Sequence, residues 1–213
     1  MNKDYIIRKE TKEDYKNTEF LTREAFFYVY TKGCVEHYVL HKLHKNDDYI
    51  KDLSFVVQKD EQLIGHIGYS NAKLIKENKF KDVLTFGPVS IIPEYKNKGI
   101  GSDLINYSIK KAKEMGYKAI IIYGNPLLYH RFGFTLALKF DIKTEDGKNA
   151  VPLLALELEK DYLSDVKDFR FVESEDFNIN ENDFIEFEKN FPYKEKKETY
   201  SQKEFEILSS LMW

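Results

Sequence analysis

Two periods of apolar spacing alternate along the chain. Tyr5, Ile6 and Ile7 open it as a short strand, and Thr11-Lys12-Glu13-Asp14 offers a cap-like start to a helix reaching toward Tyr30. Thr31-Lys32-Gly33 then reads as a turn, and residues 35–44 as a second short helix. Residues 53–58 and 62–69 are apolar-rich and flank Lys59-Asp60-Glu61, which predicts a hairpin. Residues 83–92 form another sheet-forming run, interrupted by Gly87-Pro88 and stopped by Pro93, a pattern that predicts a bulge or bend. Leu104, Ile105, Ile109, Ala112 and Met115 recur at helical spacing, Gly116 closes that helix, and residues 118–123 read as a strand buried on both faces. Strands are expected at 136–140 and 153–158 and a helix near 181–189, while the rest of 180–205 gives no assignment.

Strand, glycine-rich turn, helix and strand in that order predict a mixed α/β fold whose ligand sits at the carboxyl ends of strands. The length of 213 residues fits one domain with an appendage. Apolar residues make up 42% and charged residues 32%, a balance that excludes a fibrous or wholly disordered chain. The opening residues carry no apolar signal core, and the aliphatic run at 119–123 is too short to cross a bilayer. The single cysteine, Cys34, forms no intrachain bridge, so a cytoplasmic location and no membrane association are expected.

Charge is divided unevenly. Residues 161–213 carry 7 basic and 14 acidic side chains, a net −7, which leaves residues 1–160 at +4. A body so mildly basic suits an anionic ligand but not nucleic acid. The acidic stretch holds eleven aromatics, from Tyr162 to Trp213, more than a disordered tail would, so it is expected to fold against the rest.

The central motif is PEYKNKGIGSDLI at 93–105. Main-chain N–H groups from Lys98 through Gly99, Ile100, Gly101 and Ser102, at a helix start, make a natural phosphate cradle, and the two glycines let a diphosphate approach the backbone. A helix-start turn with no ligand has the same spelling. Leu104 stands where a dinucleotide fingerprint needs a small residue, and no GxxxxGK[ST] run occurs, so nucleotide hydrolysis does not fit. The second motif is GNPLLYHRFGF at 124–134: Pro126 suits a first helical turn and places Tyr129 just beyond the buried strand. A phenol of pKa about 10 can hand a proton to a basic leaving group, or it can serve as an aromatic plug.

In combination, FGPVSIIPEYKNKGIGSDLI at 86–105, the strand and GNPLLYHRFGF at 118–134, and VPLLALEL at 151–158 resemble the GCN5-related N-acetyltransferase (GNAT) superfamily, and within it a bacterial branch of small predicted N-acetyltransferases. AFF at 25–27, GCVEHYVLHKL at 33–43 and IGHIGYS at 64–70 also look like that branch, and the resemblance covers residues 3–160. It implies a GNAT-like acyl-CoA N-acyltransferase fold: a mixed sheet splayed between its fourth and fifth strands, with acetyl-CoA as cosubstrate in the gap and no metal. The expected domains are 1–163 for the acetyltransferase and 164–213 for a C-terminal extension packed on it. The pyrophosphate loop falls on Lys96 to Gly101, with Lys96 in place of the usual Gln or Arg and Asn97 where glycine is common. Main chain at Val89, Ser90 and Ile91 would pair with the pantetheine arm, Asn125 would touch the cofactor, and Tyr129 matches the tyrosine that protonates the departing thiolate. The implied acceptor is a small-molecule or peptide amine, with a homodimer possible. Another acyl-CoA as donor, and a non-catalytic acyl-CoA-binding module, are the alternative functions.

The base is not fixed by these matches. His37, His41 and His44 share one helix face with Glu36 beside them, and Cys34 precedes them, yet no metal-site spacing closes around the set. The resemblance puts GCVEH on the substrate side and makes Glu36 and His37 the base candidates. Cys34 shows no relay for a nucleophile, and a bystander thiol is the simpler reading. Arg131 is open to a CoA phosphate, to the acidic C-terminal stretch or to solvent.

Overall fold

Residues 4–213 are described by a computed structural model; residues 1–3, at the start of the expected 1–163 domain, lie outside the described residues. In chain order the elements are β1 (Ile6–Lys9), α1 (Tyr15–Phe26), α2 (Glu36–Leu43), β2 (Phe55–Lys59), β3 (Gln62–Lys76), β4 (Lys79–Ile91), α3 (Ile100–Glu114), β5 (Ala119–Tyr123), α4 (Pro126–Tyr129), β6 (Thr135–Leu136), β7 (Leu153–Glu157), β8 (Arg170–Val172), α5 (Glu181–Glu188) and α6 (Tyr200–Ser210). The strands form one sheet ordered β1-β2-β3-β4-β5-β7-β6. Among the described strands only β4 and β5 run parallel, and β8 pairs with β3 where β2 has ended.

Side-chain alternation decides which helix covers which face. Ser90 pairs with His66 and turns its hydroxyl to Thr22 of α1, 2.9 Å away. Tyr69 points to the opposite face, where its hydroxyl lies 2.9 Å from Ser108 of α3. α1 buries Thr18, Leu21, Thr22 and Ala25, and α3 buries Ile100, Leu104, Ile105, Ser108 and Ala112, each one stripe at helical spacing.

The bulge expected at Gly87-Pro88 is present: Ile67 pairs with Val89 and Tyr69 with Phe86, so one residue of β3 opposes two of β4. Beyond it the splay appears, because β4 and β5 share a single register pair, Leu84 with Ile120.

Three expectations are corrected. The strands expected at 62–69 and 83–92 extend as β3 and β4 into residues 70–82, where buried Ser70, Ala72 and Leu74 alternate with exposed Asn71 and Lys73. The strand expected at 136–140 is only β6, because Ala137–Phe140 coils tightly and Asp141 turns the chain at φ 56°. The helix expected to reach Tyr30 stops at Phe26.

The aromatic C-terminal stretch is continuous with the sheet. Phe169 and Phe171 share a buried cluster with Ile121 of β5 and Leu153 of β7. Farther on, α5 and the residues after it cover α2, ringing His37 with Phe184, Phe187 and Phe191.

Candidate active site

Backbone geometry after β4 follows from residues that tolerate positive φ. Asn97 and Gly99 sit at φ 61° and 82°, and a side chain at Gly101 would meet Ile91 at 3.5 Å. The first helical bond of α3 runs from the Asp103 N–H to the Gly99 carbonyl, 3.0 Å, so the amides of Lys98, Gly99, Ile100, Gly101 and Ser102 precede the helical ladder. These amides and the helix dipole suit a diphosphate.

Lys96 has partners within the protein. Its N–H bonds to the Pro93 carbonyl at 3.2 Å, and its ammonium donates to the Ala25 carbonyl at 2.6 Å. The side chain therefore ties the loop to the carbonyl end of α1, where a cation is favoured. Val89 and Ile91 are half-buried and alternate with Ser90, whose hydroxyl is committed to Thr22. From Phe86 to Ile91, β4 turns main-chain groups toward a gap that β5 does not fill.

Across the gap, α4 carries Tyr129. Asn125 caps this short helix by accepting the Leu127 N–H at 2.9 Å, so its side-chain oxygen is already engaged. The Tyr129 ring packs against Phe86 and Phe134, with centroids 5.9 and 5.7 Å away. Burial, with a smaller contribution from Tyr30, raises its hydroxyl well above the ordinary tyrosine value, so it stays protonated at neutral pH. Arg131 lies over the Phe132 ring at 4.9 Å.

Glu36 and His37 part company. Neighbours on a helix point about 100° apart, so one cleft cannot take both. Glu36 is half-buried; desolvation lifts its carboxyl to about 7, although the Val35 N–H donates to it at 2.9 Å. It also raises Tyr30, which burial and Glu36 together push to about 12. His37 is fully buried instead, with Nε2 2.8 Å from Glu188 and Nδ1 3.3 Å from Cys34. Its place under α5 removes it from the base candidates. Cys34 thus has a relay of histidine and carboxylate that the sequence did not suggest, but burial pushes the thiol far up and keeps it from ionising.

Three contributors were missed in the sequence. Tyr30 looks there like the end of a helix. Glu173, just past β8, is lifted to about 7 by burial and by Glu145, and it acts on Tyr123 at the end of β5. α6 begins with a reciprocal cap between Thr199 and Gln202, a T-x-x-Q signature that was readable. Its start bonds to the Tyr28 and Thr31 carbonyls, Phe205 packs on Tyr30 with centroids 4.6 Å apart, and Leu211 and Trp213 just past it bond to Val151 and Asn149. A separate cavity of about 640 Å³ opens beside Ile92, between α1 and residues 192–194.

Residues 14–134 match the Acetyltransferase (GNAT) family. The chain is 28% identical over 139 residues to YhbS of Escherichia coli, an uncharacterized N-acetyltransferase, an alignment spanning 65% of this chain and 78% of YhbS. The crystal structure of YhbS in complex with CoA superposes with a TM-score of 0.73 at 24% identity, covering 82% of this chain and 92% of that one. A GNAT family acetyltransferase from Brucella melitensis in complex with acetyl-CoA gives 0.64 at 24% identity, covering 82% and 98%. At these identities the two structures establish a shared fold.

Proposed function

Because the chain belongs to the Acetyltransferase (GNAT) family, we propose that it transfers an acetyl group from acetyl-CoA directly to a primary amine on a small molecule or peptide. The observation that carries this reading is the single β4–β5 pair, which leaves a gap with the Lys98–Ser102 amides and Tyr129 beside it. Those amides would hold the diphosphate, and the β4 main chain at Val89, Ser90 and Ile91 would pair with the pantetheine arm. With the thioester near the bulge, β4 N–H groups would face the oxyanion that forms as the amine attacks.

The amine nitrogen bonds to the acetyl carbon, the carbon–sulfur bond breaks, and Tyr129 gives its proton to the leaving sulfur. Glu36, with a carboxyl at about 7, is suited to take the proton that the amine loses. Acetyl-CoA turnover over an amine panel, with mass spectrometry of the product, tests the reading. Stimulated CoA release and a mass gain of one acetyl group are expected; acetyl-CoA binding with no stimulation by any amine would favour an acyl-CoA-binding module.

A further inference from the structure

The helix-borne histidines do not converge on one another, but one of them meets residues from two other elements. His37 turns to Glu188 and His41 to Glu19, whereas His44, just past α2, faces Glu10, just past β1, and His66 on β3. The three side chains are 2%, 1% and 0% exposed. Oε1 of Glu10 lies 3.3 Å from Nε2 of His44 and 3.3 Å from Nε2 of His66, and the three residues each bring one ligand atom within 4.8 Å of the others. His44 Nε2 has no hydrogen-bond partner although it is buried.

Two of the three edges of this triangle, those at Glu10, have a spacing that suits ligands of one ion. A histidine–carboxylate hydrogen bond contracts to about 2.7–2.9 Å. Two ligands on a tetrahedral ion with bonds of about 2.0–2.1 Å stand about 3.3 Å apart. An outer set of contacts is also in place: Glu19 lies 3.4 Å from Nδ1 of His44, Thr18 donates to Glu10 at 2.7 Å, and Tyr49 donates to the second Glu10 oxygen. Such partners orient metal ligands. Nδ1 of His66 has no partner, so that ring is held from its Nε2 side.

We propose that Glu10 Oε1, His44 Nε2 and His66 Nε2 form a structural site for one first-row divalent cation, with nitrogen and oxygen donors that suit zinc, joining β1, α2 and β3. Tyr49, whose hydroxyl is 3.4 Å from His66 Nε2, stands beside the fourth position. Binding needs neutral imidazoles, so any proton on His44 or His66 is released to solvent. The ion would hold α2, and with it Glu36.

The test uses the full chain, freed of metal by chelation and dialysis and titrated with Co²⁺. One equivalent giving the visible absorption of a tetrahedral Co²⁺ ion, displaced by Zn²⁺, is expected, with the His44 and His66 ring NMR signals moving together. Glu19→Gln should weaken binding about 10- to 100-fold through His44, and Glu10→Gln should abolish it. A folded wild-type chain that takes up neither ion, or uptake that leaves the His44 and His66 signals unmoved, overturns the site even if the variants fail to fold.

Discussion

A methyl group on Gly124 would sit 2.6 Å from Cε2 of Tyr129, so the ring occupies its place only because residue 124 has no side chain. Gly124→Ala should therefore displace the proposed acid while leaving the amide turn alone. Turnover should fall roughly 10-fold or more, as misplacement of a catalytic group by about 1 Å commonly does, with acetyl-CoA affinity within about twofold. Tyr129→Phe, which keeps the ring, should lose about 10-fold to 10⁴-fold. Single-turnover kinetics compare the two, and wild-type chemistry in both would remove Tyr129 from the acid role.

Gly99→Val should act on binding instead. A β-branched residue resists φ 82°, and its methyls would enter the open space where a diphosphate approaches the amides. Calorimetry on the folded variant should show acetyl-CoA affinity down about tenfold or more. Unchanged affinity would move the phosphate site elsewhere.

Glu36 makes a prediction with two signs. If it is the base, kcat/KM should rise through pH 7 as its carboxyl ionises, and Glu36→Gln should remove that rise and most of the rate. For stability the direction reverses. Burial lifts the folded value from 4.5 to about 7, so the wild type loses stability as pH rises between these values, and Glu36→Gln avoids that loss. The variant should melt higher at pH 8 by an amount worth about 1–3 kcal/mol, and the difference should vanish near pH 4. A rate profile that still rises through pH 7 in the variant would shift attention to Glu173.

The order of elements, the bulge, the glycine turn and Tyr129 were legible because each depends on short-range chemistry: a period, a proline, a positive φ. Glu36 and His37 were not separable, since adjacent letters do not say which one the core takes. Partners distant in sequence left no local signal: Glu188 is 151 residues from His37, and Glu10, His44 and His66 meet only when three elements fold together. Exposed Phe205 and Ile207 on α6 hide a helical stripe that only its cap announces.

Glu188 anchors α5. It accepts from Arg23 Nη2 at 2.5 Å and Nε at 3.0 Å, and it meets His37 at 2.8 Å. Arg23 is 2% exposed, so Glu188→Ala leaves a buried cation with only the Pro192 carbonyl and Glu24 beside it; losing a partner costs about 3–5 kcal/mol in fully buried pairs and less here because Glu188 is a quarter exposed and those two contacts stay. Burial raises the Glu188 carboxyl, but His37 and Arg23 outweigh it and hold it at about 2, below 4.5. The stabilisation should be complete above pH 4.5 and fade as pH falls through 2. Thermal melts of wild type and variant across that range should converge at the acid end; parallel curves would mean the carboxylate charge contributes nothing.

We predict that the extension borders the acceptor entrance, and the test needs a cut that leaves the core intact. Truncation after Lys160 would not, because it removes Leu163, Val166 and Phe171, each no more than 1% exposed, together with Glu188. At about 1.5–3 kcal/mol per buried side chain, the loss approaches the whole stability of a domain, about 5–15 kcal/mol. Ending the chain at Glu198 removes only Thr199, α6 and residues 211–213, whose contacts reach from the Tyr28 and Thr31 carbonyls to Asn149 and Val151. The removed segment thus spans from Tyr30, on the side of Glu36, to the residues just before β7, the strand that pairs with β5. The shortened chain should keep its acetyl-CoA affinity within about twofold while amine KM or selectivity changes several-fold. Unchanged amine kinetics in a folded truncation would place the acceptor away from α6, and a parallel loss of acetyl-CoA affinity would show that the helix supports the cofactor gap instead.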